Sequence, residues 1–215
     1  EEFKLREGCG VDVVYAGCGT LVGKMKTGDQ GLPDLFMTCD ATYLEKVQLA
    51  MGSPFGPDLK VSRTRIVMLV AKGNPKGLET LNDLDQEALR IGTTDPDAST
   101  LGDLSHQLFR ETGKYTAIEK NIVVMADTAH TLIQSMEAGK KLDVVLVYEA
   151  NIQHLKDEFD HVPLQAERAI ALQNVAARKD TAYPQLAARL MERLVSPDSR
   201  RRFKQLGFTW AADPE

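Results

Sequence analysis

The stretch that decides the fold is Tyr15-Ala16-Gly17-Cys18-Gly19-Thr20-Leu21, and a second stretch, Pro33-Asp34-Leu35-Phe36-Met37-Thr38-Cys39-Asp40, has the same pattern. Each is an apolar, strand-like run that stops in small polar residues just before a helical pattern. In open α/β sheets the loops that follow strands lie at one edge, where ligands bind. The two stretches therefore predict an α/β sheet and place two loops, and two cysteines, at its ligand-binding edge.

Strand-like and helical segments alternate along the 215 residues, which favours a mostly parallel sheet with helices on its faces. Ser99 and Asp127 are good N-cap residues for two of the helices, and Pro197 marks the start of the last one. The predicted strands are Val11–Tyr15, Leu35–Thr38, Arg65–Ala71, Arg90–Gly92, Ile122–Met125 and Val144–Val147.

Two long extended runs, Arg65–Ala71 and Ala169–Ala176, bracket the middle of the chain. Such a pair is what two crossovers between lobes would look like. We therefore predict a discontinuous outer lobe from residues 1–68 and 172–215, and a middle lobe from residues 69–171. A single doubly wound domain is the alternative that the pattern leaves open.

The composition is that of an ordinary globular protein, with 43% hydrophobic and 27% charged residues. The net charge of −5 argues against nucleic acid as a partner, because phosphate contact needs a clustered basic surface. The basic run Arg200-Arg201-Arg202 is interpreted as the solvated face of the last helix. No apolar run approaches the roughly 20 residues that span a bilayer.

The cysteines and histidines show no metal-binding pattern. Three cysteines fit neither a disulfide framework nor a zinc motif by their spacing. The four histidines share no ligand spacing such as HExxH. We therefore expect no metal ligands and no cofactor. Most of the histidines sit on polar stretches, and His130 is interpreted as a surface residue, with a position facing the cleft beside Ala129 as the alternative.

Four positions offer hydrogen-bond donors after predicted strands. In Gly17–Thr20, glycines allow successive N–H groups to point at one spot, and the following helix adds its positive end, which makes an anion site. Asp95–Gly102 and Ala126–Ala129 also join a strand to a helix N-terminus, and Tyr148 follows the strand Val144–Val147. Each has an ordinary structural explanation alone, but together they predict a small ligand bound between lobes.

Several short segments also occur in the order found in one known family. They are Gly10–Val14, Gly17–Leu21, Pro33–Asp40, Val70–Pro75, Arg90–Pro96, Val147-Tyr148 and Phe203–Phe208. On these segments the chain resembles the type II periplasmic solute-binding proteins, and most closely the molybdate/tungstate-binding proteins of ABC transporters. The matches run over nearly the whole chain, which makes their order more specific than any one segment.

The resemblance implies a two-lobed type II periplasmic binding protein fold, α/β in class. Each lobe is expected to be a mixed, mostly parallel sheet with flanking helices, joined by two crossover strands, with the family's first strand missing. It also implies a function, as the substrate-binding component of an ABC importer. A small tetrahedral oxyanion, molybdate or tungstate first, is captured in the inter-lobe cleft and delivered to a membrane permease.

The same resemblance implies a monomer that is not an enzyme and binds no nucleic acid. Its expected location is periplasmic or extracytoplasmic, with attachment to the membrane as a lipoprotein left open. The implied ligand-binding residues hold the oxyanion by neutral hydrogen-bond donors rather than by counter-charges. They are Cys18, Gly19, Thr20, Thr100, Leu101, Gly102, Ala129 and Tyr148.

Cys18 departs from the family, because relatives usually carry serine at this position. A thiol donates more weakly than a hydroxyl, so oxyanion affinity through this contact should fall. Three interpretations stay open: a neutral buried cysteine, a Cys18–Cys39 disulfide, and a soft-metal or thiolate site.

Other functions remain as alternatives. One is a binding protein for a different ligand, such as a metal ion or a metal chelate. Another is an enzyme with Cys18 as nucleophile at a helix N-terminus, where thiolates are stabilised. A third is the effector domain of a transcription regulator, although the sequence shows no helix-turn-helix segment.

Overall fold

The computed structural model describes residues 2–28, 31–139 and 142–212. Its helices are α1 Glu2–Glu7, α2 Cys18–Thr27, α3 Ala41–Met51, α4 Thr100–Glu111, α5 Tyr115–Lys120, α6 Ala129–Glu137, α7 Pro184–Leu194 and α8 Pro197–Gln205. Its strands are β1 Leu35–Thr38, β2 Phe55–Ala71, β3 Ile91–Thr94, β4 Ile122–Ala126, β5 Val144–Tyr148, β6 Phe159–Pro163, β7 Ile170–Arg178 and β8 Thr209–Trp210.

The chain forms two compact units. Unit 1 contains the described residues of Glu1–Arg63, Leu172–Gln205 and Thr209–Glu215, and unit 2 contains those of Thr64–Ala171 and Leu206–Phe208. Strands β2 and β7 each run from one unit into the other.

In unit 1, β1 pairs antiparallel with β7, from Leu35 opposite Ala177 to Thr38 opposite Asn174. Helices α2 and α3 contribute to one apolar core with β1. Asp40 joins these parts, because its carboxylate accepts hydrogen bonds from the backbone N–H of Thr42 at 3.1 Å and of Leu172 at 3.3 Å. The first of these bonds caps α3, so the loop after β1 is held in place by its own helix and by β7.

In unit 2, β3 lies between two parallel neighbours, β4 and β5. β5 in turn pairs antiparallel with β2, which also pairs with β6. The four residues Val144–Val147 of β5 are all fully buried, because apolar clusters cover both faces of the sheet. A strand buried on both faces has a continuous apolar sequence rather than an alternating one, which is the pattern that this segment shows.

The predicted mixed α/β fold class is confirmed, and most predicted strands are present with small shifts in their ends. β1 has the predicted bounds, whereas β3 ends at Thr94, two residues later than predicted. Parallel pairing is less common than the alternation suggested. Among the described strand pairs, parallel pairing occurs only at β3. The long strand β2 runs antiparallel to β5, β6 and β8, and β7 runs antiparallel to β1.

The predicted strand Val11–Tyr15 is wrong. Residues 11–15 have irregular backbone, and the side chains of Val13, Val14 and Tyr15 are 55%, 56% and 90% exposed. β-branched residues favour a strand only where a neighbouring strand completes the ladder, and no described strand pairs with this segment. The predicted cap Asp127 is also wrong by one residue: Thr128 caps α6, where its hydroxyl accepts from the Thr131 N–H.

Candidate functional site

The carboxyl ends of three neighbouring strands of unit 2 lie at the same edge of the sheet, because β4, β3 and β5 are adjacent and parallel. α4 follows β3 and α6 follows β4, while Tyr148 ends β5. A hydrogen bond of 2.9 Å from the Asp95 N–H to the Ala126 carbonyl joins the ends of β3 and β4. The fold therefore brings five of the predicted residues to one edge, namely Thr100, Leu101, Gly102, Ala129 and Tyr148.

The N-terminus of α4 has no side-chain cap. Ser99 is the N-cap residue, but its hydroxyl accepts no hydrogen bond from the helix. The first backbone bond of the helix runs from the Asp103 N–H to the Ser99 carbonyl at 3.0 Å. The N–H groups of Thr100, Leu101 and Gly102 precede it, and no bond from them to a described residue is present. Three N–H donors and the positive end of a 12-residue helix are thus available to an anion.

Two buried hydroxyl groups lie on the two elements that meet here. Thr94 ends β3 and Thr100 begins α4, and their side chains are 0% and 2% exposed. Neither Oγ1 atom has a hydrogen-bond partner in the described part of the chain. Leaving a buried hydroxyl unpaired costs about 1–3 kcal/mol, so such groups call for an explanation.

Gly102 allows the first turn of α4 to pack directly on the end of β3. A Cβ atom at this position would lie 2.4 Å from the carbonyl oxygens of Thr94 and Asp95. Both contacts are with backbone, which cannot rotate away as a side chain can. Space therefore requires glycine here, and the glycine positions the N–H donors of α4.

The other two predicted residues at this edge, Ala129 and Tyr148, are less buried than Thr100. Ala129 is the first residue of α6 and is partly buried. Tyr148 is partly buried as well, and its side chain packs against the apolar cluster that contains Leu101 and Phe109.

The predicted residues of unit 1 form a separate set at the N-terminus of α2. Gly17 is the N-cap residue, and the Leu21 N–H donates to its carbonyl at 3.0 Å. Cys18 is buried, Gly19 is partly buried and Thr20 is exposed. The set therefore offers the Gly19 and Thr20 backbone and the Thr20 hydroxyl near the surface, whereas the Cys18 side chain belongs to the core.

Cys18 packs among apolar side chains and contacts Cys39. The Cys39 N–H donates to Cys18 Sγ at 3.3 Å, and the described cysteines are not disulfide-bonded. The hydrogen bond to Cys18 and burial both raise the pKa of the Cys39 thiol well above its usual value. Cys39 is therefore mostly a neutral thiol at neutral pH, so only a small fraction of it is present as the thiolate that acts as a nucleophile.

The sequence interpretation missed a buried histidine. His106 was given no role from the sequence but is 3% exposed on α4, with its Nδ1 atom 3.0 Å from the Tyr115 hydroxyl. Burial, followed by the nearby charge of Arg110, lowers the pKa of His106. The sequence does not indicate this burial, because the neighbours Ser105 and Gln107 are polar. His106 becomes buried because α5 packs on α4. Thr94 was missed for a related reason, because threonine in a strand signals β-propensity only.

Two surface cavities of about 470 and 450 Å³ lie in unit 1, away from the predicted residues. The first is lined by α8, where Arg201 pairs with Asp198 at 2.9 Å. The second lies beside α3, where the buried Asn174 amide donates to Asp58 at 2.7 Å. Arg201 and Asn174 in these cavities thus have partners within the protein, in contrast to the Thr100 hydroxyl at the start of α4.

Within the described residues, no three His, Cys, Asp or Glu side chains come together in a way that could hold a metal ion. The helices of residues 2–28, 31–139 and 142–212 include none that is long and apolar enough to cross a membrane.

A family model described as bacterial extracellular solute-binding protein matches residues 1–209. The molybdate-binding protein ModA of Mycobacterium bovis is 23% identical over 210 residues, covering 97% of this chain and 77% of that protein. The solved periplasmic molybdate-binding protein of Azotobacter vinelandii superposes with a TM-score of 0.75 at 20% identity, covering 100% of this chain and 92% of the other. A solved periplasmic thiamin binding protein superposes with a TM-score of 0.76 at 14% identity, covering 98% and 77%. These likenesses confirm the type II periplasmic binding protein fold.

Proposed function

We propose, from the premise that this chain belongs to the bacterial extracellular solute-binding proteins, that it binds a small tetrahedral oxyanion at the N-terminus of α4. Molybdate and tungstate are the first candidates. As a substrate-binding protein of the ABC-transporter type, it acts outside the cytoplasm, and the membrane permease of the importer is the partner that receives its ligand. Attachment to the membrane by a lipid stays a prediction.

One observation carries the proposal: the buried Thr100 hydroxyl has no partner and stands beside three unbonded N–H groups of the same helix turn. An oxyanion oxygen accepts hydrogen bonds only, and several donors that converge can replace its water shell. The helix end adds a partial positive charge without a cationic side chain. Thr94 carries a second buried hydroxyl without a partner at the end of β3, on which the first turn of α4 packs.

The carboxylates of Asp95 and Asp103 near the site accept hydrogen bonds from residues close to them in the sequence. Asp95 Oδ1 accepts from the Asp97 N–H at 2.8 Å, and Asp103 Oδ1 accepts from the Gln107 amide at 2.7 Å. These bonds hold the acidic groups in local turns and offset part of their repulsion of an anion. Because some repulsion by these carboxylates remains, a large oxyanion with its charge spread over several oxygen atoms is favoured over a small, strongly hydrated anion.

The other predicted residues complete the proposal. In unit 2, we propose that the Ala129 N–H at the start of α6 and the Tyr148 hydroxyl contact the same anion. The contribution of Cys18, Gly19 and Thr20 in unit 1 stays a prediction. No catalytic step on a substrate is proposed, since the raised pKa of the Cys39 thiol and the burial of Cys18 disfavour both as catalytic nucleophiles.

A different small ligand is the second candidate, because proteins of this fold include one that is described as a thiamin binding protein. A metal ion or a metal chelate belongs to the same alternative. These ligands need groups that accept hydrogen bonds or coordinate a cation, whereas the first turn of α4 offers donors.

Isothermal titration calorimetry separates these candidates. The protein is titrated with molybdate, tungstate, sulfate, phosphate, thiamin and zinc chloride, each in the same buffer. Binding of molybdate or tungstate, with weaker or no binding of the rest, supports the proposal. Absence of heat with all four oxyanions, or binding of thiamin or zinc alone, contradicts it.

A further inference from the structure

Cys18 and Cys39 form a contacting pair of thiols in unit 1. The Cys39 N–H donates to Cys18 Sγ at 3.3 Å, and the two thiol groups also hydrogen-bond each other. The two thiol groups are therefore within hydrogen-bond reach of each other. A disulfide forms without a large backbone movement only where the two Cβ–Sγ groups are already close.

The pair also connects the start of α2, which carries predicted ligand contacts, to the loop after β1. Cys18 is the first residue of α2, and Cys39 lies between β1 and Asp40, the N-cap residue of α3. A bond between the two sulfur atoms would fix the start of α2 to the loop after β1. Disulfides form and persist outside the cytoplasm, which is where proteins of this family act.

We propose that Cys18 and Cys39 are a reversible redox pair, which an external disulfide such as oxidised glutathione converts from two thiols to one intramolecular disulfide. This goes beyond the proposed ligand and does not depend on it. Cys9 is not part of the pair, because no hydrogen bond between it and either of the other cysteines is present in the described residues, and its own N–H donates to the Lys4 carbonyl.

The reaction is two successive thiol–disulfide exchanges. Cys39, the more exposed of the two thiols, loses its proton to solvent and attacks one sulfur of glutathione disulfide. This forms a protein–glutathione disulfide and releases one glutathione thiolate, which takes up a proton. Cys18 then loses its proton, attacks Cys39 Sγ and displaces the second glutathione. The protein loses two electrons, and glutathione disulfide gains them and becomes two thiols.

The rate should depend on pH. The thiolate is the attacking species, and the pKa of the Cys39 thiol is raised. Below that pKa the thiolate fraction, and with it the rate of oxidation, rises about tenfold per pH unit. Oxidation should therefore be slow at pH 7 and about tenfold faster at pH 8.

The test uses a Cys9→Ser variant of the whole chain, because Cys9 and Cys18 share the tryptic peptide 7–24, whereas Cys39 lies in 27–46. The protein is incubated with oxidised or with reduced glutathione, alkylated with iodoacetamide, digested and measured by mass spectrometry. We expect the oxidised sample to contain the two peptides joined, without alkyl groups, and its Tm to rise by about 5 °C. The reduced sample should carry an alkyl group on each cysteine.

A Cys9→Ser/Cys18→Ser variant is the matched control, since it should stop at the glutathione adduct of Cys39 and gain no thermal stability. If Cys9→Ser does not fold, the wild-type protein gives the same answer after added cleavage by chymotrypsin behind Tyr15, which separates Cys9 from Cys18. The proposal is overturned if Cys18 and Cys39 stay alkylated after oxidation, each carry a separate glutathione, or join two chains.

Discussion

At the scale of single residues, the Thr100 hydroxyl is a buried polar group that a ligand at the helix N-terminus would explain. It is buried and has no partner among the described residues, so folding gives up its hydration for no hydrogen bond. A bound oxyanion would supply the missing acceptor. If the hydroxyl is kept for binding at the expense of stability, its removal should lower ligand affinity without lowering the free energy of unfolding.

Thr100→Val tests this directly, because valine has nearly the same shape and lacks the hydroxyl. We expect molybdate affinity to fall by roughly tenfold or more, the loss of one hydrogen bond to a charged group. The free energy of unfolding without ligand should stay equal or increase, since no unpaired hydroxyl remains buried. Calorimetry and urea unfolding measure the two quantities.

Ser105→Ala is the control for Thr100→Val. Ser105 also has a buried hydroxyl without a partner, but it lies further along α4, away from the helix N-terminus. Its substitution should leave molybdate affinity unchanged. Equal losses of affinity in both variants would show that α4 affects binding only through general packing.

The lowered pKa of the buried His106 leads us to predict how the stability of the protein depends on pH. Burial lowers its pKa below the usual 6.5, so the unfolded chain binds the proton more readily than the folded protein. Stability from this group is complete above pH 6.5 and is lost as the pH falls through 6.5 towards the lowered folded-state pKa.

The wild-type protein should therefore unfold more easily in urea at pH 5 than at pH 7, and His106→Gln should reduce that difference. His130→Gln, at an exposed position of α6, is the matched control and should keep it. An unchanged difference in His106→Gln would mean that other groups cause the acid sensitivity.

At the scale of secondary structure elements, the packing of α4 against β3 creates the candidate site. Gly102→Ala would bring a Cβ atom to 2.4 Å from two backbone oxygens, so α4 must shift. We expect a loss of stability of about 1–3 kcal/mol and loss of measurable molybdate binding. Thermal unfolding and calorimetry test both effects.

Gly23→Ala gives the matched comparison inside α2. A Cβ atom there meets nothing within 4 Å, so alanine should stabilise the helix by about 0.5–1 kcal/mol and leave binding intact. If the two alanine variants behave alike, the close contact of Gly102 with β3 has no energetic consequence.

Much of this arrangement follows from the sequence, and the exceptions have physical reasons. β5 was predictable because four successive buried apolar residues have few alternatives to a strand buried on both faces. The start of α4 was predictable from Ser99 and the polar loop before it. The segment Val11–Tyr15 has equal local strand propensity, but whether it forms a strand depends on pairing with another strand, which local sequence does not encode.

The site was predictable only in part. The position after a strand marked the loop Asp95–Gly102, and the family resemblance singled out Thr100, Leu101 and Gly102 within it. Their backbone N–H groups begin α4, and their contact with a ligand stays a prediction. That the Thr94 and Thr100 hydroxyls are buried without a partner could not be predicted, because it depends on which residues surround them in the folded chain. The same is true of the contact between Cys18 and Cys39, whose spacing along the chain carries no signature.

At the scale of the whole molecule, family membership and fold establish a solute-binding protein, and the chemistry at the start of α4 favours an anion. The two kinds of support are independent. The family match covers nearly the whole chain, whereas the ligand class rests on a few donors in unit 2.

The most direct test of this central claim is a crystal structure of the whole chain with tungstate, because tungsten is located by its anomalous scattering without assumptions about the ligand. We predict one strong peak at the N-terminus of α4, with a tungstate oxygen about 2.8 Å from Thr100 Oγ1. A peak elsewhere on the chain, or no peak at saturating tungstate, would contradict the account.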